Sequence, residues 1–139
     1  MNPAGGSQPL PNAGGYGGTL TYSSNNSTAG ATMTLTTTTA ATTVPNPQPT
    51  GTALAYYELV LSQSITFTNG LDTASLTLPP SLNTSGHTFY DTVYDQTAGV
   101  LIGNSQAGTV SGQTVNFTSG GNSTPLNGGD RYIVVLSET

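Results

Sequence analysis

The sequence predicts an all-β fold, an antiparallel β-sandwich of about seven to nine strands. Short segments of β-branched, aromatic and aliphatic residues follow one another along the chain, and no stretch shows the 3.6-residue period of an amphipathic helix. Clusters of Gly, Asn and Pro separate the segments, as the turns of such a fold require. A chain of 139 residues provides one hydrophobic core and has no room for a second. We therefore expect a single β-domain.

The threonine-rich segment at residues 32–38 has the pattern of a strand. Threonine occupies every even position, and Met33 and Leu35 lie between, so one face of the strand is apolar. Threonine suits a strand because its branched Cβ fits the pleat. Residues 44–49 contain three prolines and cannot continue a central ladder, so we expect an extended loop there.

The other elements are assigned by the same pattern and by the turns between them. Residues 68–72, 111–114 and 127–130 have turn chemistry, because Gly and Asn accept a positive φ at little cost. The predicted strands, in chain order, are residues 18–23, 31–39, 53–62, 64–68, 74–79, 87–95, 99–104, 113–119 and 131–138.

The N-terminal segment differs in composition from the rest of the chain. It consists mainly of Gly, Pro, Asn and Ser, with Leu10 and Tyr16 as its anchors, so we expect a flexible leader or linker over residues 1–18. The β-sandwich domain is then expected to cover residues 19–139. Because the leader lacks the basic and apolar regions of a secretory signal, we expect that a signal was removed or that the protein is used without one.

Charge is scarce in this chain: 5% of residues are charged, the net charge is -5, and Arg131 is the single basic residue apart from one His. Nucleic acid is a poor partner, since phosphate binding needs clustered Lys and Arg, and anionic membrane surfaces are excluded by the same argument. No apolar run reaches the roughly 18 residues that span a bilayer, so we expect no membrane insertion. The absence of Cys excludes thiolate metal sites and cysteine nucleophiles. A hydroxyl-rich composition of this kind favours an extracellular or cell-surface protein.

The segment at residues 87–95 has the composition closest to that of a catalytic site. His87, Asp91 and Asp95 share one face of the predicted strand, but residues four apart on a strand stand roughly 13 Å from each other. This separation is too long for shared metal ligands and for the carboxyl pair of a glycosidase. We therefore expect no catalytic, cofactor-binding or metal-binding residues, and a protein that is not an enzyme.

Asp91 is the carboxylate that needs a partner, because its neighbours Phe89 and Val93 should face the core. The only permanent cation is Arg131, at the start of the last predicted strand. We expect a structural polar contact of Asp91 with Arg131 or with a hydroxyl group.

The sequence suggests two kinds of binding surface for this sandwich. Exposed tyrosines on one sheet face could stack on the rings of sugars, and Tyr56, Tyr90 and Tyr94 are the candidates for such a ligand-stacking platform. A threonine surface for ice or a glycan requires threonines in register on several neighbouring strands. Outside residues 32–38 the sequence has only short echoes, as at residues 19–21. One strand does not make a surface.

The closing part of the sequence is similar to a known class of module. Residues 73–95, 108–120 and 128–138 resemble the last strands of immunoglobulin-like and fibronectin type III-like modules of bacterial secreted or surface proteins. In that comparison Phe89 takes the place often held by a corner tyrosine, and Asp91 replaces an apolar core residue. The resemblance implies an immunoglobulin-like antiparallel β-sandwich and carries no catalytic residues.

The expected function is that of a non-enzymatic extracellular structural or adhesive module without a cofactor, which associates with itself or with other surface proteins. A fibre subunit of this kind would add its N-terminal segment as a strand to a neighbouring copy. The alternatives are a carbohydrate-binding module that uses surface tyrosines to bind a glycan, and a virion decoration protein. The residues of the expected exchanged strand are Gly18, Thr19, Leu20, Thr21 and Tyr22.

Overall fold

The computed structural model describes residues 1–38, 44–69, 73–118 and 125–139. The strands are β1 (Gly6–Ala13), β2 (Tyr16–Tyr22), β3 (Met33–Thr38), β4 (Thr52–Leu61), β5 (Thr73–Thr77), β6 (Phe89–Asp95), β7 (Val100–Ala107), β8 (Thr109–Ser111), β9 (Thr114–Thr118) and β10 (Tyr132–Glu138). They form two antiparallel sheets of five strands each, which confirms the predicted all-β sandwich. Sheet I has the strand order β1-β2-β5-β9-β8, and sheet II has the order β3-β4-β10-β6-β7. The described part of the chain has no helix that is long and apolar enough to cross a membrane.

Residues 64–68 are the one predicted strand that does not form. Ile65 and Phe67 make single bridges to Leu126 and Asn25. Because these backbone partners come from two different segments, no continuous ladder develops, although Ile65 and Phe67 are both completely buried. The predicted positions that lie outside the described residues are 39, 70–72 and 119.

The N-terminal segment contains a strand in place of the flexible leader expected for residues 1–18. β1 pairs with β2 through a two-residue turn at Gly14 and Gly15, whose φ angles of 64° and 96° favour glycine. Leu10 is only 8% exposed and belongs to the core. The expected boundary at Thr19 therefore falls inside β2, and residues of the supposed leader are part of the domain.

Proline is tolerated in β1 because this strand lies at the edge of sheet I. Pro9 lies opposite Thr19 in the regular part of the ladder to β2, so its missing N–H group belongs on the outer side of the strand. Pro11 lies where the register shifts, between Leu10 and Ala13. An edge interrupted by proline and by this irregularity offers fewer hydrogen bonds to another chain, so both features protect the sheet from strand addition.

The segment expected to exchange between copies is not at an edge. Residues 18–22 lie in β2, which pairs with β1 on one side and with β5 on the other. Both hydrogen-bonding sides of this segment are therefore used within the chain. The N-terminal strand with one open side is β1.

The N-terminal residues also close one side of the sandwich, where β1 of sheet I approaches β3 of sheet II. The side-chain amide of Gln8 donates to the carbonyl oxygen of Met33 at 3.2 Å. The ammonium group of Met1 donates to the carbonyl oxygen of Ala31 at 2.7 Å, just before β3 begins. Donors from the N-terminal segment thus satisfy backbone acceptors in and just before the edge strand β3.

The opposite side of the sandwich is closed by the chain itself, which passes at Gly108 directly from β7 of sheet II to β8 of sheet I. The N–H group of Gly108 donates to the carbonyl oxygen of Phe89 at 2.9 Å. On the same side, the side-chain amide of Gln106 donates to the carbonyl oxygen of Thr118. A Cβ atom at position 108 would lie 2.5 Å from Cγ2 of Val115, so the crossing requires glycine.

The interior between the sheets is filled mainly by aromatic and leucine side chains. Tyr57, Phe67 and Phe117 are among the largest that are fully buried. The hydroxyl group of Tyr57 donates to the carbonyl oxygen of Tyr16 at 2.8 Å, which satisfies this polar group inside the core. Burial raises the pKa of Tyr57 to about 12, so the hydroxyl remains a donor at physiological pH.

We expect Gly108→Ala to lower the free energy of unfolding by about 1–3 kcal/mol, because the added methyl group overpacks the core beside Val115. Urea unfolding followed by circular dichroism measures the change. Gly17→Ala is the matched control, since its Cβ would meet no atom closer than 3.7 Å. Equal stability of the two variants would mean that position 108 has room for a side chain.

Candidate functional site

The outer surface of sheet I consists mainly of hydroxyl and amide side chains, with the exposed Pro9 opposite Thr19 at the β1 edge. Along each strand they alternate with residues such as Leu20, Leu76 and Val115, which are buried in the core. We call this surface the hydroxyl face, and none of its members is charged or aromatic. Its members among the described side chains are Ser7, Thr19, Thr21, Ser75, Thr77, Thr109, Ser111, Thr114, Asn116 and Thr118.

The strand register aligns these side chains in rows that cross the sheet. Thr19 on β2 lies opposite Ser75 on β5, which in turn lies opposite Asn116 on β9. Asn116 lies opposite Thr109 on β8, so this row crosses four strands. The next row consists of Thr77, Thr114 and Ser111. Because neighbouring strands are about 4.8 Å apart, polar groups recur across the sheet at a short and regular spacing.

No side chain of the hydroxyl face forms a hydrogen bond with another described residue. Their donors and acceptors are therefore available to water or to an outside partner. Sequence reasoning missed this surface, because it required threonines on several neighbouring strands and found only short echoes outside residues 32–38. The signal was present as alternating hydroxyl or amide residues in β2, β5 and β9, three strands that only the strand order brings together.

The outer surface of sheet II is covered by a proline-rich segment. Residues 44–50, which we call the strap, form no strand, in agreement with the expected loop. Val44 is buried at the start of the strap and packs in a small apolar cluster with Tyr94, Ile133 and Val135. The strap therefore gives sheet II a second, smaller apolar core on its outer side.

Hydrogen bonds to sheet II hold the strap in place. The hydroxyl group of Tyr94 donates to the carbonyl oxygen of Pro47 at 2.7 Å. At the end of the strap, the hydroxyl group of Ser137 donates to the carbonyl oxygen of Thr50 at 2.6 Å. The N–H group of Thr50 donates to Oγ of Ser105 at 3.0 Å. Side chains from β6, β7 and β10 thus fix the strap against the sheet.

The three tyrosines expected to stack on a ligand do share this outer surface, but they do not form an open platform. Tyr94 is completely buried beneath the strap, so its ring is closed to a ligand. Tyr56 is half-buried against the apolar cluster of the strap. Tyr90 is half-buried beside Ser137 and Ala107. The return of residues 44–50 over the sheet, which covers Tyr94, could not be predicted from the local sequence pattern.

A cavity of about 270 Å³ lies between the strap and strands β6 and β7. Its polar wall includes Thr92 and Ser105, whose hydroxyl oxygens are 2.7 Å apart. The described residues that line it are Pro47, Gln48, Thr50, Thr92, Leu101, Asn104 and Ser105. None of them is ionisable, so this cavity is polar and uncharged.

The expected contact between Asp91 and Arg131 is wrong. Nε of Arg131 lies 2.6 Å from Oε2 of Glu58, on the neighbouring strand β4. The register explains the difference, because Asp91 lies opposite Leu136 in β10, near the far end of that strand from Arg131. The sequence could place both residues on strands but could not fix this register.

Asp91 faces the interior of the sandwich without a cation beside it. Its cross-strand neighbour Leu136 belongs to the core, as does Phe89 two residues earlier on the same face of β6. Burial raises the pKa of the Asp91 carboxyl from 3.8 to about 6. No ion pair or side-chain hydrogen bond joins it to another described residue. Ionisation of Asp91 therefore lowers the stability of the folded state.

The remaining residues of the segment at 87–95 have structural contacts. Nδ1 of His87 lies 3.1 Å from Oε2 of Glu138 at the rim of sheet II. Oδ1 of Asp95 accepts from the N–H group of Ala98 at 3.0 Å and so holds the turn after β6. Burial raises the pKa of Asp95, and the neighbouring carboxyl of Asp130 raises it further. The described residues contain no group of three or more His, Cys, Asp and Glu side chains placed to hold a metal ion.

Comparisons of the chain with protein-family models, with curated proteins and with solved structures found no match. The surfaces described above are therefore the basis for assigning a function. Among these, the hydroxyl face crosses all five strands of sheet I.

We expect Asp91→Asn to stabilise the protein at pH 7.5 and to leave stability unchanged near pH 3.5. Because the folded-state pKa is raised from 3.8 to about 6, stability falls as pH rises through this window, by up to about 3 kcal/mol. The neutral amide removes this loss. Urea unfolding at a series of pH values measures the effect.

Glu58→Gln is the control for this change of a carboxyl to an amide. It removes the partner of Arg131 at a partly exposed site and should lower stability at pH 7.5 by at most about 1 kcal/mol. Loss of stability in Asp91→Asn at pH 7.5 would contradict the assignment and would mean that the carboxylate has a favourable partner.

Proposed function

We propose that the protein is a non-enzymatic, extracellular adhesive module of immunoglobulin-like type, which binds an uncharged, hydroxyl-rich polymer through the hydroxyl face of sheet I. The observation that carries the proposal is the set of aligned hydroxyl and amide side chains with no hydrogen-bond partner among the described residues. The extracellular location is supported by the composition, and the immunoglobulin-like type is supported by the resemblance of the closing strands.

The twist of the sheet favours a flexible polymer over a flat solid such as ice. Adjacent strands rotate by about 20–25°, so the four steps across sheet I accumulate to roughly 90°. A rigid flat lattice would touch only the central strands β2, β5 and β9. A polysaccharide chain bends and can follow the twisted surface, so we propose a neutral polysaccharide as the partner.

The chemistry of the face determines how binding should respond to conditions. No member of the face is charged, so attraction rests on hydrogen bonds and methyl contacts, which salt screens weakly. Each net hydrogen bond contributes roughly 0.5–1.5 kcal/mol, so several are needed for a stable complex. Affinity would therefore come from the number of aligned groups and not from one strong contact.

We expect the triple variant Thr19→Val, Thr77→Val and Thr114→Val to bind a neutral polysaccharide about ten-fold or more weakly than the natural chain. Valine keeps the branched Cβ and the strand preference and removes only the hydroxyl groups. Affinity electrophoresis in gels that contain β-glucan, mannan or dextran measures binding. Raising NaCl from about 50 to 500 mM should leave it unchanged.

The matched control is Thr32→Val, Thr34→Val and Thr36→Val, which changes three exposed threonines in and beside β3 of sheet II. This variant should bind as the natural chain does. The proposal is overturned when no polysaccharide retards the natural chain, or when both triple variants lose binding equally.

Self-association by strand exchange is the second candidate function, and the position of β1 favours it. β1 pairs with a single strand and is joined to it by the short turn at Gly14 and Gly15. Opening of this turn would free β1 to pair with β2 of a second copy. The β1–β2 ladder would then form between two chains instead of within one chain.

A disulfide across the hairpin tests this second candidate. Ser7 lies opposite Thr21, and antiparallel neighbours have Cα atoms about 4.5–5.5 Å apart, close enough for a bridge between two introduced cysteines. Since the natural chain has no Cys, the two cysteines of the double variant Ser7→Cys, Thr21→Cys can form a disulfide only with each other. Light scattering should show oligomers in the reduced form and monomers in the oxidised form. Monomers in both forms would exclude exchange and leave the proposal for the hydroxyl face untouched.

A further inference from the structure

The cavity beneath the strap has the features of a binding site for one small ligand. It is open to solvent on one side and has a volume of about 270 Å³, slightly less than the roughly 300–1,000 Å³ of sites that hold drug-sized molecules. Pro47 and Leu101 supply apolar surface, while Gln48, Asn104 and the hydroxyl pair of Thr92 and Ser105 supply polar groups. A ligand that fits must therefore be small, and must have both an apolar and a polar side.

The hydroxyl pair has one donor without a partner among the described residues. Thr92 and Ser105 have one hydroxyl hydrogen each, and the bond of 2.7 Å between their oxygens uses one of the two. The N–H group of Thr50 fills an acceptor position on Ser105 and supplies no acceptor for the second hydrogen. No further bond joins either hydroxyl to a described residue. The bond can run in either direction, so the spare hydrogen belongs to Thr92 or to Ser105, and both hydroxyl groups line the cavity.

The two amides of the cavity complete a set of donors and acceptors. Nε2 of Gln48 donates to the Val44 carbonyl oxygen at 3.1 Å and to Oδ1 of Asn46 at 3.2 Å, which leaves Oε1 of Gln48 as an acceptor. The exposed amide of Asn104 has no hydrogen bond to a described residue and offers both a donor and an acceptor. Hydroxyl groups on a ligand can act as donor and as acceptor, so they match this set.

The walls of the cavity are already fixed in the free protein. Tyr94 holds the strap at Pro47, and Ser137 and Ser105 hold it at Thr50. A ligand would therefore lose little affinity to the ordering of the site. The absence of ionisable groups among the described lining residues favours an uncharged ligand, since a charge would be desolvated there without compensation.

We propose that this cavity binds a single neutral sugar ring, with the ring hydroxyls on Asn104, Gln48 and the spare hydroxyl donor, and with a C–H face on Leu101 and Pro47. The site is separate from the hydroxyl face, because it lies on the outer side of sheet II. It does not depend on the function proposed for sheet I, and it requires no exposed tyrosine.

The test uses the whole chain and the methyl glycosides of glucose, galactose and mannose as probes. Amide chemical shifts of the isotope-labelled protein, followed by nuclear magnetic resonance, should move saturably for residues 48, 92 and 101–105. The dissociation constant of the preferred glycoside should be on the order of 1 mM, as expected for a ligand of this size. Glucuronate, which adds a carboxylate to the same ring, should bind at least ten-fold more weakly.

Asn104→Ala should weaken binding about ten-fold without loss of fold, because Asn104 is exposed and bonded to no described residue. Thr36→Ala, an exposed change at the other edge of sheet II, is the matched control and should leave binding unchanged. No saturable shift with any glycoside, equal affinity in Asn104→Ala, or shifts confined to the hydroxyl face would each overturn the proposal.

Discussion

The fold depends on closing the edges of two sheets with almost no charged residues. Natural sheets often protect their edges with charged side chains, above all Lys, but here Arg131 is the single residue of the Lys and Arg class. Pro9 removes an outward donor from β1, the register shift at Pro11 interrupts the same edge, and the crossing at Gly108 joins the two sheets on the opposite side. Each of these features acts through backbone geometry, so edge protection does not depend on salt or on the ionisation of surface groups.

The few ionisable groups are therefore the places where the protein responds to pH. Arg131 and Glu58 pair at a partly exposed position, where water already screens the interaction. Asp91 differs, since no cation lies beside it among the described residues and desolvation raises its pKa. A chain with little charge is thus not indifferent to pH, because one desolvated carboxyl has more effect on stability than several fully solvated ones.

The strands could be predicted from the sequence because the alternation of apolar and polar residues is local, as in Met33, Thr34 and Leu35. Sequence reasoning missed β1 because a flexible leader and a protected edge strand are both rich in Gly and Pro. The hydroxyl face and the partner of Arg131 were missed for a different reason. Both depend on which strands are neighbours and in which register they pair, and these are set by contacts between residues distant in the chain.

The positions of β1 and β10 in their sheets determine how the module would carry a mechanical load. β1 is held by one ladder, to β2, whereas β10 is held by two, to β4 and β6. Tension applied to the two ends of the chain would therefore detach β1 first. Its departure would remove Pro9 and Pro11 from the edge and expose the unprotected backbone of β2. Stretching would convert a closed module into one that can accept a strand from another chain.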